Sequence, residues 1–321
     1  MPQSASDLLV ADIGGTNARF ALSDGTNTLH DVRVLSAASF PNLDEAIAAY
    51  FAGLTRPRPT QACFACACPT HGPEIKFTNS PWRFVKVDLK QKFQFDRFVV
   101  INDFEALAAS VPTLSGAQLA SLRAGTADPT SISLVVGPGT GLGVGGYVPA
   151  GKGAWAVISG EGGHVGFAPN TEQEVRLWQR MREKYGRVSN ERVLNGAGLV
   201  NVYRFLADEA GWQVGEVDAP EISKRALAGE EIAINTVLMF FDILGSATGD
   251  LALAYGSRGG VYIGGGITPK LLDFARRSNL VNRFLDKGRV SAILQSIPIW
   301  VILEERAALY GVRRQFDREG T

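Results

Sequence analysis

Short apolar runs bounded by glycine-rich turns alternate along the chain with segments of helical period. LLVADI (8–13) and ARFALS (18–23) flank a tight Gly14-Gly15-Thr16-Asn17 turn, and a third strand is expected near DVRVLS (31–36). The period then changes. In NLDEAIAAYFAGL, Leu43, Ala46, Ile47, Tyr50 and Phe51 fall on one helical face, and Asn42 and Glu45 have the spacing of a capping box. QACFACAC (61–68) reads as a buried strand, and EIKFTN and WRFVKV read as a β excursion. RFVVIND (97–103) is another buried strand, leading into a helix at FEALAASV (104–111).

The second half repeats the theme. SISLVVG (131–137) and GLGVGGYV (141–148) again flank a glycine-rich turn. TEQEVRLWQRMREKYG predicts a helix, with Thr171 and Glu174 at capping-box spacing and Gly186 as its stop. EISKRALAG and EIAINTVLMFFDIL continue the helices, GGVYIGG is a strand running into the helix PKLLDFARRS, and IWVIL is a late strand. The terminal helix, EERAALYGV, is expected to pack back on the first lobe. A chain of 321 residues exceeds one ordinary core. Two lobes that each open with strand, glycine turn and strand predict a duplicated α/β fold with an interdomain cleft. The expected division is 1–112 plus 303–321 against 113–302.

Charge and cysteine usage narrow the function classes. Lys+Arg and Asp+Glu are equal at 32 each, which leaves no electrostatic footprint for nucleic acid or an anionic membrane. The most apolar stretch, residues 236–256, contains Asp242 and Asp250 and reads as a buried helix rather than a membrane span. MPQSASDLLVADIGG has no basic region before an apolar stretch, so no signal peptide is expected and the cytoplasm is the expected compartment. Cys63, Cys66 and Cys68 have spacing that could suggest zinc or redox chemistry, but they lie in a short apolar run ending at Pro69. Alternation puts Cys66 and Cys68 on one strand face and Cys63 on the other, as small buried hydrophobes.

The chemistry concentrates at strand ends. In Ala11-Asp12-Ile13-Gly14-Gly15-Thr16-Asn17, glycines let backbone N–H groups approach an anion, and Thr16 and Asn17 add donors. Asp12 ends a buried strand and needs a partner, for which a water-coordinated Mg²⁺ is suited; a plain Gly-Gly hairpin explains the turn equally well. Gly137, Gly139, Thr140 and Gly141 form a second candidate phosphate turn, and Gly264, Gly265 and Gly266 a third close-approach point suited to a base or ribose. Residues 141–146 match a dinucleotide fingerprint and 146–152 nearly match a Walker A loop, but no helix follows either, so both are read as loop. Asn102 and Asp103 open a helix, where one of them serves as N-cap or Asp103 acts as a base toward a hydroxyl. Glu161 and His164 share a glycine-rich, flexible loop, and Glu191 follows in VSNERVLNG, where it could merely favour a helix start. Asn102, Asp103, Glu161, His164 and Glu191 make a set suited to hydroxyls of a hexose.

LLVADIGGTNARFAL, INDFEALA, VVGPGTGLGVG, ISGEGGHVGFAP, SNERVLNGAGLVNVYRFL and GGVYIGGGITPKLLDF, in that order, closely resemble the bacterial glucokinases, the hexokinase-like group of the actin-type ATPase superfamily. The resemblance spans nearly the whole chain. It implies a two-lobed actin-like ATPase (ribonuclease H-like) fold and transfer of the ATP γ-phosphate to the 6-hydroxyl of glucose, the opening step of glycolysis. It further implies ATP and Mg²⁺ as cofactors and a homodimer. Residues 11–16 correspond to the first phosphate motif, 137–143 to the second, and Gly264–Gly266 to part of the adenosine motif. Asn102, Asp103, Glu161, His164 and Glu191 correspond to the sugar contacts, with Asp103 as the base. The cysteines lie before the sugar loop, so the chain resembles the zinc-free branch rather than the related repressor–kinase group. A sugar sensor and an actin-like ATPase are the competing classes; the first needs a DNA-binding module and the second does not need the sugar set.

Overall fold

The structure, a computed structural model, describes residues 7–26, 28–78 and 80–319. Part of the N-terminal segment read above as lacking a signal peptide, residues 1–6, lies outside the described residues. The chain divides into two compact units, Met1–Leu114 with Glu304–Thr321, and Ser115–Leu303.

In the first unit, β1 (Leu8–Ile13), β2 (Asn17–Ser23), β3 (Leu29–Ser36), β4 (Gln61–Cys66) and, after the short hairpin β5 (Glu74–Lys76) and β6 (Arg83–Val85), β7 (Arg97–Asn102) carry the fold. The main sheet has the order β3-β2-β1-β4-β7. β1 pairs antiparallel with β2 and parallel with β4, and β4 pairs parallel with β7. β1 and β4 are apolar except for Asp12 and Gln61, because both faces are covered. Leu9, Ala11, Phe64 and Cys66 pack toward α1 (Leu43–Ala52), against Leu43, Ala46, Ile47 and Tyr50. Leu8, Val10, Cys63 and Ala65 pack against Ala106 and against Leu309, Val312 and Phe316 of the C-terminal helix, Ala307–Arg318. The two cysteine faces fall as alternation requires, although Cys68 lies just past the strand end.

Two details differ from expectation. WRFVKV is a strand only to Val85; α2 (Lys86–Lys92) follows at once, with Leu89 buried beneath charged residues. The N-cap at Asn42 accepts from the Glu45 amide, which is the first half of the box. α3 (Asp103–Ser110) carries a complete capping box, Asn102 with Glu105. The C-terminal helix crosses α3 at Gly311, where a Cβ would stand 1.7 Å from the Ala106 carbonyl oxygen.

In the second unit, β8 (Leu119–Arg123), β9 (Ser133–Pro138), β10 (Leu142–Pro149), β11 (Trp155–Gly160), β12 (Val261–Ile263) and β13 (Ile299–Ile302) form a sheet in the order β11-β10-β9-β12-β13-β8. β9 pairs antiparallel with β10 and parallel with β12, as β1 does with β2 and β4. The expected duplication is therefore present strand by strand, with β8 added at one edge. The helices are α4 (Glu172–Tyr185), α5 (Gly196–Glu209), α6 (Ala219–Leu227), α7 (Glu231–Tyr255), α8 (Leu272–Arg277) and α9 (Leu280–Leu285). Thr171 caps α4 as expected, whereas the Glu174 carboxylate turns to the Asn170 amide and the Arg283 guanidinium. α7 is long and apolar enough to cross a membrane. Its Val237, Phe240, Phe241, Ile243 and Leu244 nevertheless lie in the core of the second unit.

Candidate active site

In the first unit the three parallel strands end at one edge of the sheet, with Ile13 opposite Cys66 and Cys66 opposite Asn102. This carboxyl edge is where open α/β sheets bind ligands. Asp12 is there, half-buried, facing Arg19 across the β1–β2 ladder, with Arg19 Nη1 3.5 Å from Asp12 Oδ2. Burial pushes the Asp12 carboxyl above its ordinary value, and Arg19 pulls it partly back. The partner that a buried carboxylate requires is therefore this guanidinium, a residue the sequence reading did not single out. In the turn, Gly14 N–H donates to the Asn17 carbonyl at 2.9 Å.

At the end of β7, Asn102 takes the capping role. Its Oδ1 accepts from the amides of Phe104 at 2.9 Å and Glu105 at 3.3 Å, and its Nδ2 donates to the Cys68 carbonyl at 3.4 Å. Asp103 is thus the first residue of α3, beside the cap rather than the cap itself. Glu105 accepts from the Asn102 amide and from Gln315 of the C-terminal helix, which anchors this corner.

In the second unit, Glu161, His164 and Glu191 come together. His164 Nε2 is 3.8 Å from Glu161 Oε2 and 3.9 Å from Glu191 Oε1. The Glu161 and His164 side chains are mostly exposed and Glu191 is half-buried, so two acceptor carboxylates flank an imidazole open to a polyhydroxyl ligand. The glycines beside His164 are closely packed. A Cβ on Gly163 would stand 2.0 Å from the Leu142 carbonyl oxygen, and one on Gly162 2.8 Å from Val144 Cβ. Within the loop expected to be flexible, Gly162–His164 forms a 3-10 turn pressed on β10. Glu191 starts no α-helix. It sits in the 3-10 turn Asn190–Arg192, and its Oε2 accepts from the Leu142 amide at 2.9 Å. Two further residues missed by sequence reasoning secure these loops. Asn195 Nδ2 donates to the Thr140 carbonyl at 3.1 Å while its Oδ1 caps α5, and Arg187 donates to the His164 carbonyl at 2.9 Å. The Asn-Gly pair opening an apolar helix was the available signal for Asn195.

The second and third glycine segments also meet. Gly264 N–H donates to the Val136 carbonyl at 2.8 Å, and Gly265, with φ +77°, lies so close that a Cβ would reach 2.3 Å from the Pro138 carbonyl oxygen. Gly137–Gly141 and Gly264–Gly266 are therefore one surface of the second unit.

The glucokinase family pattern matches residues 9–319. The glucokinase of Chromohalobacter salexigens is 45% identical over 97% of this chain and 98% of its own. The chain belongs to the glucokinase family. The crystal structure of a glucokinase from an Antarctic psychrotroph aligns with a TM-score of 0.85 and 37% identity, over 98% of this chain and 99% of that one. A ROK family glucokinase from Streptomyces griseus, in complex with glucose and AMPPNP, shares the fold at a TM-score of 0.66 and 20% identity, covering 98% of this chain and 100% of its own.

A cavity of about 670 Å³ lies elsewhere in the second unit, lined by Glu174, Trp212, Met239, Asp242, Asn279 and Arg283 among others. It shares no residue with the glycine segments or the sugar set. Of its acidic groups, Glu174 is engaged by Arg283, Asp242 by the Asn279 amide and Glu209 by Arg176.

For Mg²⁺, the residues present fit one mode of binding only. Among the described residues no group of three or more His, Cys, Asp or Glu is arranged for a metal. Mg²⁺ commonly keeps several waters and takes one or two carboxylates plus substrate phosphates. Asp12, a half-buried carboxylate at the edge beside the first glycine turn, suits that mode.

Proposed function

We propose that this chain transfers the γ-phosphoryl group of ATP to the 6-hydroxyl of glucose, with Asp103 as the base. The reading is carried by the family match over residues 9–319, together with the Glu161–His164–Glu191 cluster that such a substrate requires. The Asp103 carboxylate accepts the hydroxyl proton as the sugar oxygen bonds to the γ-phosphorus. The bond from that phosphorus to the β–γ bridging oxygen breaks, releasing ADP and glucose 6-phosphate. Asn102 fixes the start of α3 and hence the base; a direct sugar contact comes from its amide nitrogen, since its oxygen caps the helix. Glu161, His164 and Glu191 hold the remaining hydroxyls. The turn at residues 11–17 and the surface formed by Gly137, Gly139, Thr140, Gly141 and Gly264–Gly266 hold the nucleotide. Mg²⁺ would be held through Asp12 and water and would supply charge neutralisation on the phosphates. By family likeness the enzyme is a cytoplasmic homodimer acting at the entry of glucose into glycolysis.

A coupled assay of ADP release tests the reading, run with and without glucose and then across mannose, fructose and N-acetylglucosamine, with ATP or polyphosphate as donor. Release that depends on glucose and ATP is expected. Release independent of any sugar points to an ATPase, and glucose binding with no release points to a sensor.

A further inference from the structure

We propose that Gly141, grouped above with the phosphate motif, is a positioning residue for the sugar site: its missing side chain makes the space in which Glu191 is held. This rests on the reading of Glu191 as a sugar contact. The geometry is specific. An ideal Cβ on Gly141 would stand 2.7 Å from Glu191 Oε2, and beyond its own chain neighbours no described residue but Glu191 comes within 4 Å of it. The φ of Gly141 is not in the left-handed region, so its backbone does not need glycine. What needs glycine is the carboxylate.

That carboxylate is used twice. Oε2 accepts the Leu142 amide at 2.9 Å, while Oε1 lies 3.9 Å from His164 Nε2, on the side where the sugar set gathers. The segment carrying Glu191 also grips the same turn at the two preceding carbonyls: Gly196 N–H donates to Gly139 at 2.9 Å and Asn195 to Thr140 at 3.1 Å. The turn assigned to phosphate and the carboxylate assigned to sugar are therefore one latched unit. A methyl group at residue 141 meets the far end of a flexible side chain. It displaces the carboxylate from Leu142 without a backbone collision, so the fold survives and the sugar contact suffers.

Steady-state kinetics on Gly141→Ala, Glu191→Gln and the double variant, with hydrogen exchange at the Leu142 amide, decide the matter. Gly141→Ala should raise the glucose KM about tenfold, the scale of a weakened hydrogen bond to a charged group. The ATP KM should move by less than about threefold, and adding Gly141→Ala to Glu191→Gln should raise the glucose KM by less than about twofold, because both act through one carboxylate. Exchange at Leu142 should quicken in Gly141→Ala. A rise in ATP KM with glucose KM unchanged overturns the proposal and returns Gly141 to phosphate. Additive losses overturn it, as does either readout changing without the other. If the wild-type chain shows no glucose-dependent turnover, the functional reading fails, and a Leu142 exchange rate insensitive to Gly141→Ala then removes the latch independently.

Discussion

Gly14, between β1 and β2, and Gly141, between β9 and β10, occupy corresponding turns in two sheets that share a strand order. A Cβ on Gly14 would meet only the Asn17 carbonyl oxygen, at 3.6 Å, an ordinary contact. A Cβ on Gly141 would collide with Glu191, and the neighbouring turn presses Gly163 against Leu142. The space beside Gly14 is left open by the protein, whereas the space beside Gly141 is filled by the protein's own carboxylate. Similar glycine turns thus answer to different neighbours. Gly14 leaves room for a group to approach its turn, whereas Gly141 leaves room for a side chain of the protein itself.

The largest effect expected from breaking this division is at the edge of the first unit. Asp103→Asn should lower kcat by roughly 10²–10⁴-fold while direct glucose binding persists, because an amide keeps a hydrogen bond but takes no proton. A near-normal kcat removes Asp103 from the chemistry.

The next comparison sets the glycines directly against one another. Gly163→Ala forces a methyl group into the Leu142 carbonyl, an overpacking cost of about 1–3 kcal/mol, visible as a lower Tm and lost glucose binding. Gly14→Ala has room in the protein and should leave stability within about ±0.5 kcal/mol while raising the ATP KM. If Gly14→Ala unfolds the chain as readily as Gly163→Ala, the contrast between the turns is wrong.

Asp12 gives a smaller effect with a definite sign. Its folded-state carboxyl is raised above the ordinary value of 3.8, chiefly by burial. Between the ordinary and the raised value the folded state holds a proton that the unfolded chain has released, so stability declines as pH rises through that window. Asp12→Asn should therefore have a Tm equal to or above that of wild type at neutral pH, with the gap closing below about pH 4. A less stable variant at neutral pH would mean that the Arg19 pair outweighs burial. In catalysis the order should reverse, with the variant slower.

The smallest effect concerns the cysteines. Cys63, Cys66 and Cys68 are buried, and burial pushes all three thiols up, Cys68 to about 11. Thiol reagents should label them only as the protein unfolds, and metal analysis should find no stoichiometric zinc. Fast labelling of Cys68 in the folded protein would show that the strand edge next to Asp103 opens in solution.

The duplicated sheets, the helices at residues 43–52 and 172–185 and their caps at Asn42 and Thr171 were legible because they depend on periods of two and 3.6 and on neighbours three residues away. The helix Lys86–Lys92 was not legible, since seven residues with one buried leucine carry no readable period. The candidate residues themselves were legible as residue types at strand ends, and the family resemblance ordered them into roles.

The chain alone determined the recurring strand–glycine turn–strand units, the helices with a clear period such as Leu43–Ala52 and Glu172–Tyr185, and the family to which it belongs. Only the tertiary structure decided that Asn102 rather than Asp103 caps α3, that Arg19 is the partner of Asp12, and that Gly162 and Gly163 serve close packing. Only the tertiary structure, too, brought Glu191 onto an amide 49 residues away. The reason is physical. Periodicity and capping are set by neighbours along the backbone, whereas the environment of a carboxylate or the room beside a glycine is set by whichever distant segment folding packs there.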